Sequence, residues 1–516
     1  MMRFIVRFHT WSSALVLIIA FVAVVFPTLV YSLDEPNSFS SVINQISGER
    51  MLADVTTLSK NFNGRQAGTD DDLHSAQWVA NRLQSSGLIL AGVRGDRFNV
   101  PSVGDGTTRT TGFMTTLITT SLIDPNPLLR ISVGGDAVTR QLGTEYLPVF
   151  DSPIADLQGP IVFVGYGIVD PAHRIDDYAG VDVQNSIVLF LRGKPDHYQS
   201  QISHADKVRL ARQKGALGYL TATGPVLNAY EARRGMTGTP SAFYGSPEAS
   251  EALPGAWIST ALAEEILTDT TPSQTGQLRA RQERLNKAPD SQAVRTDRFG
   301  SLSWKTRPVE GILANVLGFI PGSNPDMATE AIVIGAHRDH FGKQAGLLFP
   351  GADDNASGTA VMLEVARALA ALPVKPKRTL LFLSFSGEEH GLLGSRLYVE
   401  RPIISLGKTS AMINIDHAGI GNGRLTVGVT GLEKSFALDA GQTAGLADKL
   451  DLFGFFPGGD HVPFKEAGVP TVTVVSGGRH PHFHQPTDTA ETVNQDILVS
   501  VARYVLALTW QLASRP

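Results

Sequence analysis

The chain has 516 residues, of which 42% are apolar and 18% charged, a composition typical of globular proteins and not of disordered chains. This length is too great for one hydrophobic core, so the sequence predicts two domains or one domain with a large insertion. A formal net charge of −5 gives no basic surface, which argues against nucleic acid as a partner. The absence of cysteine excludes thiol nucleophiles, thiolate metal sites and disulfides, so any metal must be held by His, Asp and Glu.

The N-terminus has the pattern of a targeting segment. Arg3 and Arg7 precede an apolar run over residues 14–26, and small residues follow near Ser32. The run is flanked by Trp11 and Tyr31, and its length also suits a single membrane anchor. We therefore expect residues 1–33 to be a signal peptide or a membrane anchor. In either case the remainder is expected to be exported, as a periplasmic, secreted or membrane-anchored protein facing away from the cytoplasm.

Residues 47–90 show helical periodicity, with apolar residues at positions such as Leu52, Val55 and Leu58. A polar loop divides this stretch into two helices, with the sequence Gly64-Arg65-Gln66-Ala67-Gly68-Thr69. We expect these helices to belong to the first part of the main domain, residues 40–127.

The sequence pattern changes over residues 128–290, where short runs typical of β-strands are separated by Gly, Pro and Asp. Strands are predicted at residues 161–164, 187–191 and 217–221, with one helix at 205–213, and residues 274–298 are expected to be a linker. This stretch has none of the paired carboxylates and histidines found later, so we expect a β-rich insertion whose removal spares any metal site.

The second part of the main domain, residues 296–516, alternates strands and helices, which predicts an α/β fold with a mostly parallel central sheet flanked by helices. The strands are nearly continuous apolar runs, as expected for strands buried on both faces. They are predicted at residues 331–335, 379–384, 411–415 and 471–475, with helices at 358–372 and 496–512.

Candidate metal ligands follow all four of these strands. His337 comes after the first, Glu388 and Glu389 after the second, Asp416 directly after the third, and the loop after the fourth runs to His484. Because ligands bind beyond the carboxyl ends of strands in open α/β sheets, we expect these side chains to meet at one edge.

A further acid precedes the helix that follows the first strand. The segment Gly351-Ala352-Asp353-Asp354-Asn355-Ala356-Ser357-Gly358 delivers carboxylates there, and Asn355 or Ser357 can cap the helix. A carboxylate at this point can give one oxygen to each of two cations about 3.5–4 Å apart. The sequence therefore predicts a bridging carboxylate in this segment, with His337, Glu389, Asp416 and His484 as the flanking ligands.

Two neighbouring acids suit other roles. Glu388 adjoins a ligand, and a carboxylate beside a metal-bound water is well placed as a general base and later as a general acid. Asp339 lies two residues after His337 and can accept a proton from the far nitrogen of that imidazole.

Each motif alone has an ordinary explanation as a capping pair, a solvated dipeptide or a turn. Asp416 fits such an explanation least, because an unpaired carboxylate directly after an apolar strand is costly. The convergence of all five candidate ligands on one sheet edge favours a metal site.

Together these motifs resemble the family of two-zinc aminopeptidases that also contains glutamate carboxypeptidases and the catalytically silent transferrin receptors. The resemblance is carried by Gly335-Ala336-His337-Arg338-Asp339-His340, the Gly351 to Gly358 segment, Gly387-Glu388-Glu389, Asn414-Ile415-Asp416, Gly459-Asp460-His461 and His484-Gln485-Pro486-Thr487-Asp488-Thr489.

The resemblance implies the phosphorylase/aminopeptidase-like fold and two Zn²⁺ per chain. His337 and Asp416 would bind one zinc and Glu389 and His484 the other, with Asp353 bridging. Glu388 would act as general base and then as general acid. The nucleophile would be a water that bridges the two metals and attacks the N-terminal bond of a peptide. The middle stretch resembles a protease-associated domain inserted in such enzymes.

Two positions depart from relatives. Some relatives carry a tyrosine hydroxyl where this chain reads Phe453-Gly454-Phe455-Phe456-Pro457, so His461 is a candidate to stabilise the oxyanion, and Phe455 and Phe456 suggest an apolar substrate pocket. Arg338 stands where relatives often have an aromatic residue, and we expect it to face solvent without a catalytic role.

Three alternatives remain open. A carboxypeptidase or dipeptidase on the same fold would need a cationic cluster to bind a substrate carboxylate. A receptor-like module would have lost ligands, whereas all five are present. A glutaminyl cyclase shares the sheet, but the complete ligand set favours two metals and hydrolysis.

Overall fold

The computed structural model describes residues 39–91, 112–133, 135–227, 237–268 and 276–515. The predicted signal peptide or anchor at residues 1–33 lies outside these ranges. In chain order the helices are α1 Phe39–Asn44, α2 Gly48–Asn61, α3 Asp70–Ser85, α4 His204–Gln213, α5 Thr260–Leu267, α6 Gln277–Lys287, α7 Gly358–Ala370, α8 Leu393–Glu400, α9 Lys434–Thr443, α10 His461–Glu466 and α11 Gln495–Ser514.

The strands belong to two large sheets and two short ribbons. In chain order they are β1 Ile89–Leu90, β2 Phe113–Ile123, β3 Leu128–Val133, β4 Asp136–Thr139, β5 Tyr146–Pro148, β6 Ala155–Phe163, β7 Val169–Asp170, β8 Ile175–Asp176, β9 Ile187–Leu191, β10 Gly218–Ala222, β11 Gly255–Ile258, β12 Val294–Trp304, β13 Thr306–Ile320, β14 Ala331–His337, β15 Gly342–Gln344, β16 Leu347–Phe349, β17 Thr379–Phe385, β18 Thr409–Asp416, β19 Leu425–Thr430, β20 Leu450–Phe453 and β21 Thr471–Ser476.

The first sheet, which we call the main sheet, has the order β1-β13-β17-β14-β18-β21-β19-β20, and β2 also pairs with β13. Its central strands β17, β14, β18 and β21 are mutually parallel. β13 and β19 pair antiparallel with this group on its two sides, so the sheet is mixed and the prediction of a mostly parallel sheet is correct only for its centre. The centre was predictable because its strands are buried on both faces, whereas most residues of β2 and of the first half of β13 are exposed or half-buried.

Successive residues of the central strands face two different cores, as the period of a β-strand requires. In β14, Ile332 and Ile334 pack in the core that includes α2, α3, α7 and α11. Val333 packs in the opposite core, together with Tyr398 of α8 and Phe464 of α10. The fold is therefore a mixed α/β fold with helices on both faces of the main sheet.

The second sheet has the order β4-β3-β12-β6-β9-β10-β11-β5 and its own hydrophobic core. The part of the chain that builds it, residues 128–304, is called the insert below. It extends beyond the predicted boundary at residue 290, because β12 pairs with β3 and β6. The stretch 274–298 is therefore not a simple linker: α6 lies in it and buries Leu278, Gln282 and Leu285 despite its charged sequence.

Within the described ranges one helix, α11, is long and apolar enough to cross a membrane. Two-thirds of its most apolar window is buried inside the protein, where it packs on α7, α2 and α9. This is the burial expected of a core helix.

Candidate metal and active site

The carboxyl ends of the four parallel strands lie at one edge of the main sheet, as predicted. His337 is the last residue of β14, and Asp416 is the last residue of β18. Glu388 and Glu389 follow β17, and His484 lies in the loop after β21. The fold thus brings residues that are almost 150 positions apart to the rim of one cavity.

Asp354 lies between the two predicted imidazole ligands. The Nε2 atom of His337 is 3.4 Å from Oδ1 of Asp354 and 3.5 Å from Oδ1 of Asp416. The Nε2 atom of His484 is 3.0 Å from Oδ2 of Asp354 and 3.4 Å from Oε2 of Glu389. One carboxylate therefore presents one oxygen to each side, which we call the His337 side and the His484 side.

Asp353 does not occupy that position, and the prediction that it is the bridge is wrong. Its Oδ1 accepts hydrogen bonds from the backbone N–H groups of Gly419 and Ile420, at 2.7 and 3.0 Å. Its Oδ2 lies 2.6 Å from Nδ1 of His480. The backbone at Asp354 is extended (φ −108°, ψ 95°), which turns neighbouring side chains in different directions, and the motif alone cannot tell which of two adjacent acids faces the site.

The loop that carries these two acids is fixed by Asp488. Its carboxylate accepts hydrogen bonds from the N–H groups of Asp353 and Asp354, at 2.8 and 3.0 Å. Asn355 accepts from the N–H of Gly358 at 2.9 Å and so caps α7, as predicted. The direction of the Asp354 carboxylate is therefore set by hydrogen bonds on both sides of it.

The electrostatics of the site fit a bound cation. Four buried or half-buried carboxylates, those of Asp354, Glu388, Glu389 and Asp416, line the cavity together with the imidazoles of His337, His417, His480 and His484. Burial and the neighbouring negative charges raise the pKa of Glu388 and of Glu389 well above the usual range. Oδ1 of Asp416 is buried and has no hydrogen-bond partner among the described residues. Such a concentration of buried negative charge is costly unless it is compensated, and nitrogen and oxygen ligands suit zinc.

Three histidines near the site were missed by the sequence reasoning. Nδ1 of His340 is 2.7 Å from Oε1 of Glu389, and His340, Asp354 and Glu389 form one possible metal-binding group. His417 and His480 form another such group with Asp353. Burial lowers the pKa of His417, but the carboxylates of Asp354, Asp416 and Asp353 outweigh burial and raise it to about 10. The available signal was adjacency, because His340 follows Asp339 and His417 follows Asp416.

Asp339 contacts its neighbours differently from the expectation. Its backbone carbonyl lies 3.2 Å from Nδ1 of His337, closer than its carboxylate, which is 3.8 Å away. The carboxylate also accepts a hydrogen bond from the N–H of Glu388 at 3.2 Å. Asp339 therefore links the His337 imidazole to the loop that carries Glu388 and Glu389.

Arg338 is completely buried, so the prediction that it faces solvent is wrong. Its Nη2 is 2.9 Å from Oδ1 of Asp72 in α3, whose side chain is equally buried. Arg65, from the predicted loop between the first helices, donates to the backbone carbonyls of Leu58, Arg338, Pro350 and Gly351. These two arginines stabilise the end of β14, which carries His337, and the loop that carries Asp354.

A cavity of about 530 Å³ opens onto the acid–histidine cluster. Its other wall contains Phe453, Phe456 and Phe483, with Phe455 45% exposed near its mouth and Arg479 beside His480. This wall agrees with the predicted apolar pocket. His461 is not among the lining residues, because it is buried with its Nε2 2.7 Å from the carbonyl of Phe456.

Residues 315–509 match the model of peptidase family M28. Aminopeptidase YwaD of Bacillus subtilis is 31% identical over 177 residues, which is 32% of this chain and 38% of that protein. A probable leucine aminopeptidase of Arthroderma otae is 28% identical over 239 residues, 41% of this chain and 66% of the relative. The probable glutamate carboxypeptidase AMP1 of Arabidopsis thaliana is 27% identical over 306 residues, 53% of this chain and 39% of the relative. The matches thus span less than two-thirds of each relative.

Solved structures resemble the fold over nearly the whole chain. An aminopeptidase from Aneurinibacillus sp. strain AM-1 has a TM-score of 0.63 at 22% identity and covers 93% of this chain and 97% of its own. The zinc aminopeptidase BSAP from Bacillus subtilis has a TM-score of 0.58 at 20% identity, with coverages of 91% and 96%. The likeness shows that the same fold accommodates both sheets. The match over residues 315–509 confirms the resemblance of the motifs to this peptidase family.

Proposed function

We propose that the chain is a two-zinc aminopeptidase that hydrolyses the N-terminal bond of peptides. The observation that carries the proposal is the position of Asp354, whose two carboxylate oxygens face different histidine–carboxylate pairs. A carboxylate shared in this way suits a pair of cations.

The ligand assignment follows the two sides. His337 and Asp416 would hold one zinc, Glu389 and His484 the other, and Asp354 would contact both. Zinc at these positions supplies a Lewis acid for the scissile carbonyl and lowers the pKa of a bound water. His340 lies against Glu389 and is placed to orient that carboxylate rather than to replace His484.

Glu388 is the group proposed to move the proton. Its side chain lines the cavity beside His337 and Asp416, and its backbone N–H is fixed by Asp339. Burial and neighbouring carboxylates raise its pKa, which suits a group that takes a proton and later releases it. Glu388 would accept the proton of the attacking water and return it to the departing amine.

The choice of the N-terminal bond is supported by the cavity and by the relatives. The aromatic wall of Phe453, Phe456 and Phe483 fits an apolar side chain at the substrate's first position. Two of the relatives described above are aminopeptidases, or a probable one, by name.

A carboxypeptidase is the second candidate. Arg479 contributes a cationic side chain to the same cavity and could bind a substrate carboxylate. The likeness to a probable glutamate carboxypeptidase points in the same direction.

One assay separates the two candidates. The purified chain is tested on peptides with a free N-terminus, with a blocked N-terminus and with a C-terminal reporter, each with and without a chelator. We expect cleavage only where the N-terminus is free, and loss of that cleavage in the chelator. Cleavage of the N-blocked peptides from their C-terminal end would overturn the aminopeptidase proposal in favour of the carboxypeptidase.

The insert and the N-terminus complete the proposal. We propose that the insert corresponds to a protease-associated domain, and that the chain is exported through its basic and apolar N-terminal segment. Fractionation of cells that express the full chain would test export, since the proposal predicts activity outside the cytoplasm and recovery only from cytosol would contradict it.

A further inference from the structure

One loop of the insert reaches the metal-binding cluster. It comprises residues 237–246, between β10 and β11, and is called the insert loop below. The N–H of Ala242 donates to the backbone carbonyl of His484 at 2.9 Å. The carbonyl of Ala242 lies 2.7 Å from Nδ1 of the same histidine.

This second contact determines which nitrogen of His484 carries the proton. A backbone carbonyl only accepts hydrogen bonds, so Nδ1 must be the protonated nitrogen. Nε2 then presents a lone pair towards Asp354 and Glu389, 3.0 and 3.4 Å away. A ligand histidine needs this tautomer, and the group that accepts its other N–H fixes both the tautomer and the ring orientation.

The insert loop is itself firmly held. Nε2 of Gln485 donates to the carbonyl of Pro240 at 2.8 Å and to Oγ of Ser241 at 2.9 Å. Further along, the carboxylate of Asp151 accepts from the N–H of Gly245 at 3.0 Å. Ser241 and Ala242 are buried. The loop is therefore fixed on both sides of Ala242, which is what a support for a metal ligand requires.

A ring contact joins the insert loop to the neighbouring ligand as well. Tyr244 packs against His390 with ring centroids 3.9 Å apart, and His390 directly follows Glu389. The hydroxyl of Tyr244 accepts from Gln344 at 3.4 Å. Both predicted ligands of the His484 side, His484 and Glu389, thus have the insert loop against them or against the next residue.

We infer that the insert loop positions His484 and thereby sets the zinc affinity of the His484 side. The inference rests on the proposed function. It also opposes the expectation that removal of the insert spares the metal site, because removal would take away the acceptor of the His484 N–H. Loss of such an outer partner typically weakens metal binding by about ten- to a hundredfold.

The coupling must also act in the reverse direction. If the insert loop stabilises the zinc-binding arrangement of His484, zinc must stabilise the loop by the same free energy. The N–H of Ala242 reports this directly, because it is hydrogen-bonded to His484. Its hydrogen exchange should slow when zinc binds, whereas exposed amides of α6 should not change.

The test uses the full chain and three variants. Gln485→Ala removes the two hydrogen bonds to the insert loop, and Ala242→Pro removes the N–H that donates to His484. Thr239→Ala is the matched control, because Thr239 lies in the same loop and its exposed side chain contacts only Thr237 among the described hydrogen bonds. Zinc dissociation constants are measured by chelator competition, and folding is checked by thermal unfolding.

In Gln485→Ala and Ala242→Pro, one of the two zinc equivalents should dissociate ten- to a hundredfold more readily, while the other equivalent and Thr239→Ala match the wild type. If Ala242→Pro does not fold, Gln485→Ala and the exchange of the Ala242 amide in the wild type decide the outcome. Unchanged dissociation constants in Gln485→Ala, or an Ala242 amide whose exchange ignores zinc, would overturn the inference alone. A wild-type chain that binds no zinc would overturn the proposed function with it.

Discussion

The two sides of the candidate metal site are supported by different parts of the chain. On the His337 side, the imidazole faces the backbone of its own loop, through the carbonyl of Asp339. On the His484 side, the imidazole faces the carbonyl of Ala242, which is 242 positions earlier in the sequence and belongs to the insert. The His337 side is thus completed within residues 315–509, whereas the imidazole of the His484 side contacts the insert, which carries none of the predicted ligands.

This difference shows that a region without catalytic residues can still take part in building a site. Among the described residues, the strands of the insert end in no acid–histidine cluster, yet one of its loops places a backbone carbonyl beside the candidate ligand His484. A backbone group leaves no trace in the sequence, because any residue provides it.

The largest effect is expected where the two sides meet. Asp354→Asn removes the charge that both sides share, and we expect it to abolish turnover. Asp353→Asn is the matched control, because the adjacent acid is tied to Gly419, Ile420 and His480 instead. Steady-state assays of both variants would show which of the two acids is the bridging carboxylate. An active Asp354→Asn variant beside an inactive Asp353→Asn variant would restore Asp353 as the bridge.

Glu388→Gln tests the proton transfer that acts between the sides. The substitution keeps the shape of the side chain but removes its basicity, so kcat should fall by about 10²- to 10⁴-fold. Zinc content should stay at the wild-type level, since Glu388 is not a proposed ligand. Metal analysis and steady-state kinetics on the same sample check both statements, and kcat within threefold of the wild type would remove Glu388 from this role.

Asp72→Asn tests the ion pair that stabilises the His337 side. Removing one member of a fully buried ion pair leaves Arg338 uncompensated, and the free energy of unfolding should fall by about 3–5 kcal/mol. The exposed pair of Arg396 and Glu466 is the control, and Glu466→Gln should change stability by less than about 1 kcal/mol. Urea unfolding of the two variants measures both changes in the free energy of unfolding. Equal losses would show that the Asp72–Arg338 pair contributes no more to stability than an exposed ion pair.

The smallest effect is expected in the apolar wall, away from both sides. Phe456→Ala should lower kcat/KM for substrates with a large apolar first residue by about 10- to 200-fold, with little change for an alanine substrate. Phe455→Ala should have a weaker effect, because Phe455 is already 45% exposed. Kinetics on a leucine and an alanine substrate measure the ratio, and an equal loss on both would assign Phe456 to packing.

Much of this fold could be predicted from the sequence. The central strands of the main sheet were found within about two residues because strands buried on both faces are continuous apolar runs. Strand β12 was missed because its buried and exposed residues alternate in a charged stretch that suggested a linker. β2 and the first half of β13 were missed because most of their residues are exposed or half-buried.

The residues of the candidate site were also predictable only in part. His337, Glu389, Asp416 and His484 were predictable because each follows a readable strand, and the structure brings them together. The choice between Asp353 and Asp354 depended on which carboxylate meets the N–H groups of Gly419 and Ile420, which no motif records. The burial of Arg338 depends on its ion pair with Asp72 in α3, and the orientation of the His484 ring depends on the backbone carbonyl of Ala242.

Zinc content measured together with activity tests the central claim most directly. The full-length chain is saturated with zinc, dialysed, and analysed for zinc per chain and for cleavage of a peptide with a free N-terminus, before and after chelation. The account predicts two zinc ions per chain, loss of cleavage on chelation and its return when zinc is restored. One zinc ion or none at saturation, or cleavage that survives complete removal of the metal, would contradict it.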